Sequence, residues 1–174
     1  MPKEIRIDVR LDAGTFRRFA LFDMLKLRKK ARKPLVFALI FIAFAVVAML
    51  FRRQESALLA SVLLAVGLAL PLVYFGTFLS QVNLQAEKQK LKPPRRVYLI
   101  TLGPEGVTAE NTSRKEEPQF LPWEKVPAAY SRKGCVYLYV SPARAWLLPA
   151  GQADAPDDIV RQYLKSHLRE RARF

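Results

Sequence analysis

The chain has 174 residues, enough for one ordinary domain with some extra length. Apolar residues make up 51%, charged residues 25%, and the formal net charge is +14. One cysteine and one histidine exclude an intramolecular disulfide and a multi-cysteine metal site.

In chain order, the first segment alternates apolar Ile5, Ile7, Val9 and Leu11 with charged Arg6, Asp8 and Arg10. That period of two predicts a half-buried strand. From Asp12 the period lengthens. Asp12 is placed to cap a helix whose apolar side carries Phe16, Phe19, Ala20 and Leu27. The helix becomes basic at Lys26, Arg28, Lys29, Lys30, Arg32 and Lys33. A basic, aromatic helix ahead of an apolar run fits the membrane interface, and packing on the protein's own soluble part is the rival reading.

Two apolar runs follow. Leu35 to Phe51 has 17 residues with no polar side chain, and Ala57 to Leu79 has 23 with no charge. A spanning helix needs about 20 apolar residues, and lysine or arginine at its ends extends a short one by snorkelling. Lys33, Arg52 and Arg53 are placed to do so. The first run begins at residue 35 with no small-residue cleavage site after it, so it reads as a span and not a leader. The link Arg52 to Ser56 has five residues, which forces an antiparallel hairpin, and Ser56 is the expected cap of the second helix. Ala57, Ser61, Ala65 and Ala69 form a four-spaced row of small residues, a candidate packing face toward the first helix or a second copy. Pro71 predicts a kink.

Residues 1–34 carry 11 cations and 4 anions, the hairpin link carries two cations and one anion, and residues 80–174 carry 16 cations and 10 anions. Cations concentrate on the cytoplasmic side of spans, so both termini are expected in the cytoplasm of a cell with an inner membrane, with the hairpin tip outside. Juxtamembrane cations gain about 1 kcal/mol each on an anionic leaflet. The lipid bilayer with its anionic headgroups is therefore an expected partner, and the charge need not report nucleic acid.

Residues 80–94 are expected as a connecting helix stopped at Pro93-Pro94. Residues 95–174 then read as a β-rich unit. Strands are predicted at Val97 to Leu102, Val107 to Glu110, Phe120 to Trp123, Val136 to Val140 and Ala145 to Pro149, with a shorter one near Ala129-Tyr130. Ile159, Val160, Tyr163, Leu164 and Leu168 recur at helical spacing in a closing helix, Asp157 to Arg171. The expected fold is a membrane helical hairpin plus a small α+β domain, its antiparallel sheet closed by that helix. Residues 5–11 are a candidate to complete the sheet.

Few residues suggest chemistry. Cys135 beside an apolar alternating run reads as a buried structural thiol, and His167 as a surface residue. Asp154, Asp157 and Asp158 suit capping and the helix dipole. Trp123 and Trp146 read as core. Arg161, Lys165, Arg169, Arg171 and Arg173 form a basic run on the last helix, the first three a four-spaced stripe, read as a solvated face before a headgroup or acidic-partner surface. No glycine pattern suits a phosphate loop, and no cofactor is expected.

The hairpin turn Gly103-Pro104-Glu105-Gly106-Val107, the Trp of Phe120-Leu121-Pro122-Trp123, the strand Val136-Tyr137-Leu138-Tyr139 and the ending Leu147-Leu148-Pro149 follow two spans and a basic stretch. In this order the chain resembles the YcxB-like family of bacterial membrane proteins. The resemblance implies a pleckstrin-homology-like domain and no established activity. The leading expectation is a non-enzymatic membrane-anchored interaction module at the inner leaflet. The alternative is an accessory or regulatory subunit of a larger membrane assembly, with a protein partner or homo-oligomer. Nucleic acid is not expected as a partner, for want of any motif beyond charge.

Overall fold

A computed structural model describes residues 3–27, 31–50, 54–112, 117–142 and 144–174, and of residues 26, 27 and 54–56 only the backbone. The chain forms two compact units, one of residues 1–15 and 90–174, the other of residues 16–89.

The first unit is β-rich. Its strands are β1 (Ile5–Leu11), β2 (Arg95–Leu102), β3 (Gly106–Asn111), β4 (Gln119–Pro122), β5 (Ala128–Arg132), β6 (Cys135–Ser141), β7 (Arg144–Pro149) and a two-residue β8 (Ala172–Arg173). They build two four-stranded sheets, in the orders β1-β2-β3-β4 and β7-β6-β5-β8. All pairs are antiparallel except β5 with β8. The alternation at residues 5–11 does complete a sheet: β1 pairs with β2 from Ile5↔Leu102 to Leu11↔Arg95. Ile5, Ile7, Val9 and Leu11 are all buried, which a strand so distant in sequence achieves only by joining this core.

The outer edge of β1 is stitched to residues 152–154. Asp8 N donates to Gln152 O (3.1 Å) and Asp154 N to Arg6 O (2.9 Å). Arg6 N donates to Asp154 Oδ1 (2.9 Å) and Arg10 N to Gln152 Oε1 (2.7 Å). An exposed strand edge invites pairing with foreign strands, and this segment covers it.

The expected single sheet closed by a helix is corrected. Among the described residues there are two sheets, and helix α4 (Asp157–Leu168) does not close one. Twelve residues make a helix about 18 Å long, too short to cover eight strands. It buries one stripe, Val160, Tyr163, Leu164 and Leu168. The helix also ends earlier than its periodicity implied, because residues 169–171 tighten into a 3-10 turn before β8.

The second unit holds most of α1 (Ala13–Phe22), a π-helical turn (Asp23–Leu27), α2 (Arg32–Leu50) and α3 (Gln54–Lys88). Asp12 caps α1 as the sequence implied, accepting from Thr15 N at 2.6 Å. The expected second span and connecting helix form one continuous helix of 35 residues that runs through Pro71. Its start at Gln54 puts Ser56 inside the helix and not at its cap. A helix of this length extends about 52 Å, more than a hydrocarbon core of about 30 Å, and its polar surplus is Gln81 to Lys88.

Candidate functional site

The helical unit is the first candidate. Its two long helices are apolar enough to cross a membrane, and only 17% and 11% of their most apolar stretches are buried. A soluble core helix would be mostly buried. Leu39, Phe44, Leu50, Leu58, Leu72 and Val73 stand out from the pair with more than half their surface open. A surface of this kind marks a membrane or protein-interaction site.

The helices meet through small residues. Ala45, Ala48 and Ala60 form the buried cluster, with Leu63 against it. A Cβ at Gly67 would sit 3.1 Å from the Phe41 Cβ and 3.3 Å from the Ala38 carbonyl. Gly67 thus lies opposite the N-terminal half of α2 and Ala60 opposite its C-terminal half, so the pair is antiparallel. In lipid, van der Waals packing drives association, and small residues permit it.

The row Ala57, Ser61, Ala65 and Ala69 is not this seam: all four are exposed. The reason is angular. A four-residue step turns about 40° off the axis line, so the row winds away from any one neighbour, whereas the seven-residue step from Ala60 to Gly67 returns to within about 20°. Two hydroxyls within the apolar stretch, those of Ser61 and Thr77, are satisfied locally. Ser61 Oγ donates to Ala57 O, and Thr77 Oγ1 lies 2.9 Å from Val73 O. That removes the cost of an unpaired donor in hydrocarbon.

Of the flanking cations, Arg32 and Lys33 are exposed in the first turn of α2. Arg28, Lys29, Lys30, Arg52 and Arg53 lie outside the described residues, as does the side chain of Lys26. Phe16, Phe19 and Phe22 of α1 are half-buried.

In the β-rich unit the polar features are built around Trp123, in a 3-10 turn (Trp123–Lys125) after β4. Its indole N–H donates to Gly103 O at 2.9 Å, tying the turn to the β2–β3 hairpin. His167 lies against it at 4.9 Å between ring centroids, and Tyr163 lies 4.5 Å from His167 and 6.3 Å, edge to face, from Trp123. His167 is therefore a half-buried member of an aromatic cluster, not the surface residue its basic surroundings implied. Its Nδ1 lies 2.9 Å from Tyr163 O and 3.2 Å from Ser166 Oγ. Burial pushes the Tyr163 phenol above its usual pKa, with the Glu4 carboxylate adding to the effect.

Arg171, read from the basic run of the last helix as part of a solvated face, is placed otherwise. It belongs to no solvated face: its Nη1 donates toward Trp123 O (3.0 Å), Glu124 O (2.9 Å) and Val126 O (2.8 Å). No pattern in the sequence marks three carbonyls that converge only through a 3-10 turn. Arg173 lies over the Tyr130 ring, 5.6 Å from its centroid. Asp157 does not cap α4; its Oδ1 accepts from Gly151 N at 2.8 Å. With Asp158 it places negative charge in the first turn, where the dipole favours it. Asp8 pairs with Arg96.

Cys135 is buried, and with Ile7, Val136, Leu148, Val160 and Arg161 it lines a cavity of about 20 Å³, the size of one water. Among the described residues no group of three His, Cys, Asp or Glu side chains could hold a metal ion.

No protein-family model, curated protein or solved structure matches the chain.

Proposed function

We propose that the protein is a non-enzymatic, membrane-anchored interaction module, with the helical hairpin in the inner membrane and the β-rich unit in the cytoplasm. The observation that carries this reading is the inverted hairpin: its large apolar side chains face outward while alanines and a glycine fill the seam. The cation counts support both termini inside, and the same cations give the chain an affinity for anionic headgroups. Two sheets followed by a helix support a pleckstrin-homology-like domain, and the YcxB-like resemblance is part of the proposal. Fold analogy alone assigns no ligand.

The second reading, an accessory subunit of a larger membrane assembly or a homo-oligomer, is favoured by the exposed row Ala57, Ser61, Ala65 and Ala69, which leaves a thin helix face open to a partner helix.

A cytoplasm-active reporter fused after Phe174 and a periplasm-active reporter inserted at Gln54 test the topology. Both are expected to be active. An insertion at Gln54 that reports the cytoplasm overturns the hairpin's orientation.

A further inference from the structure

The last strand is short and fastened unusually. β8 contributes two residues, and it pairs in parallel with only Ala129 and Tyr130 of the five-residue β5. The rest of its hold comes from side chains. Arg171 fills a nest of three carbonyl oxygens, those of Trp123, Glu124 and Val126, within 2.8–3.0 Å. Ala172 lies opposite Ala129, which is fully buried. Arg173 covers the Tyr130 ring and reaches its hydroxyl at 3.3 Å.

The segment is also attached under strain. Arg169, where α4 turns into it, has φ 50° and ψ −119°, a region that favours glycine. Releasing the segment relieves that residue. An incoming strand of the same chemistry would remake the backbone pairing, the carbonyl nest and the ring stacking.

We propose that the edge of β5 and the adjoining carbonyl nest form an acceptor site for an extended Arg-small-Arg segment of a partner protein. The chain's own residues 171–173 occupy the site and must be displaced. The nest reads the first arginine, because three converging carbonyls accept from a guanidinium and repel a carboxylate. Ala129 leaves room for a small residue only, and Tyr130 reads the second arginine through its ring face. Backbone pairing to β5 supplies the rest, as when a peptide adds a strand to a sheet edge. Net charge does not explain such binding, because a chain of +14 repels a cationic peptide. The proposal rests on reading the β-rich unit as an interaction module but not on the hairpin's orientation. A failed topology test leaves it standing, and a failed peptide test leaves the topology standing.

The test uses the full chain in nanodiscs of neutral phosphatidylcholine, so that lipid does not capture the probe. The probe is a fluorescent peptide with the sequence of residues 169–174, read by anisotropy. Three forms are compared: the intact chain, a chain lacking residues 172–174, which keeps the Arg171 clamp, and one lacking residues 171–174. Peptide binding should strengthen at least tenfold from the intact chain to the shortest, with the middle form between. A peptide carrying Arg171→Glu and Arg173→Glu should lose at least tenfold. If the shortest form does not fold alone, added peptide should restore its cooperative unfolding transition. Capture of a truncated chain by an intact second copy supports the same site, with that copy as the source of the segment. The proposal fails if folded truncated chains bind no better than the intact one. It fails if the glutamate peptide binds equally. It also fails if an unfolded truncation is not rescued by the peptide and the chain lacking residues 172–174 binds it no more tightly than the intact chain.

Discussion

Leu72 in α3 and Leu138 in β6 are the same side chain in opposite settings: one is 73% exposed, the other fully buried. The contrast runs through both units. In the β-rich unit Ile5, Ile100, Leu102, Tyr137 and Leu164 are inside, and charges such as Arg6, Arg10 and Arg95 are outside. In the helical unit leucines and phenylalanines are outside and alanines line the seam. The rule that apolar residues go inside holds only where water is the surrounding medium. Where lipid surrounds a helix, burying a leucine against protein gains little hydrophobic free energy, and close backbone approach decides which residues meet.

The largest effect that would sharpen this contrast comes from Ile7→Asp with Val9→Asp in β1. Each places a carboxylate in an apolar core without a partner, and together they should cost more than about 4 kcal/mol, enough to unfold the β-rich unit. Limited proteolysis should then cleave residues 95–174 rapidly while the protein stays in the membrane fraction. Unchanged resistance at residues 95–174 would break the claim that β1 belongs to that core.

Next is the leucine pair itself. Leu138→Ala should lower the stability of the β-rich unit by about 2–5 kcal/mol, as for a buried leucine that leaves a cavity. Leu72→Ala, measured in detergent by the same thermal unfolding, should change stability by no more than about 0.5 kcal/mol. Equal losses would mean that the outward face of α3 is covered by something other than lipid or detergent.

A smaller effect separates the two rows of small residues. Gly67→Leu forces a side chain against Phe41, Ile42 and the Ala38 carbonyl, and it should destabilise the hairpin by about 1–3 kcal/mol. Ala65→Leu, on the exposed row, should leave a monomeric hairpin unchanged. Loss of stability at Ala65 that depends on protein concentration would favour the homo-oligomer reading.

The smallest concerns alkaline pH. Tyr163 has a raised pKa in the folded state, so the unfolded chain loses its phenolic proton first as pH rises. The neutral phenol's contribution is fully present below about pH 10, the ordinary tyrosine value, and is lost as pH rises through the higher folded value. Tyr163→Phe should flatten the fall in melting temperature above about pH 10 relative to the parent protein. Parallel curves would show that the phenol's burial does not govern that limb.

Much of this was legible in the residues alone. The alternation of Ile5, Ile7, Val9 and Leu11 marked β1 as a strand with one buried face. The two uncharged runs marked the long helices, and Asp12 marked a helix start. Period, run length and capping are local properties, written in side-chain order and independent of what the segment later touches. The row at residues 57, 61, 65 and 69 was equally visible, but the hairpin selected residues 60, 63 and 67, because a seam depends on the rotation of a helix about its axis. That rotation is set by the neighbour.

The sequence by itself thus determined the elements: two apolar helices, a basic flank, short alternating strands and one amphipathic C-terminal helix. Tertiary structure alone decided the partners. It divided the strands into two sheets, because a sheet's neighbours are chosen by long-range pairing that no local period encodes. It gave β1 a covered edge through Gln152 and Asp154, some 140 residues away. It also gathered the Trp123, Glu124 and Val126 carbonyls around Arg171, a site made of backbone atoms that every residue carries and that only their convergence makes distinct.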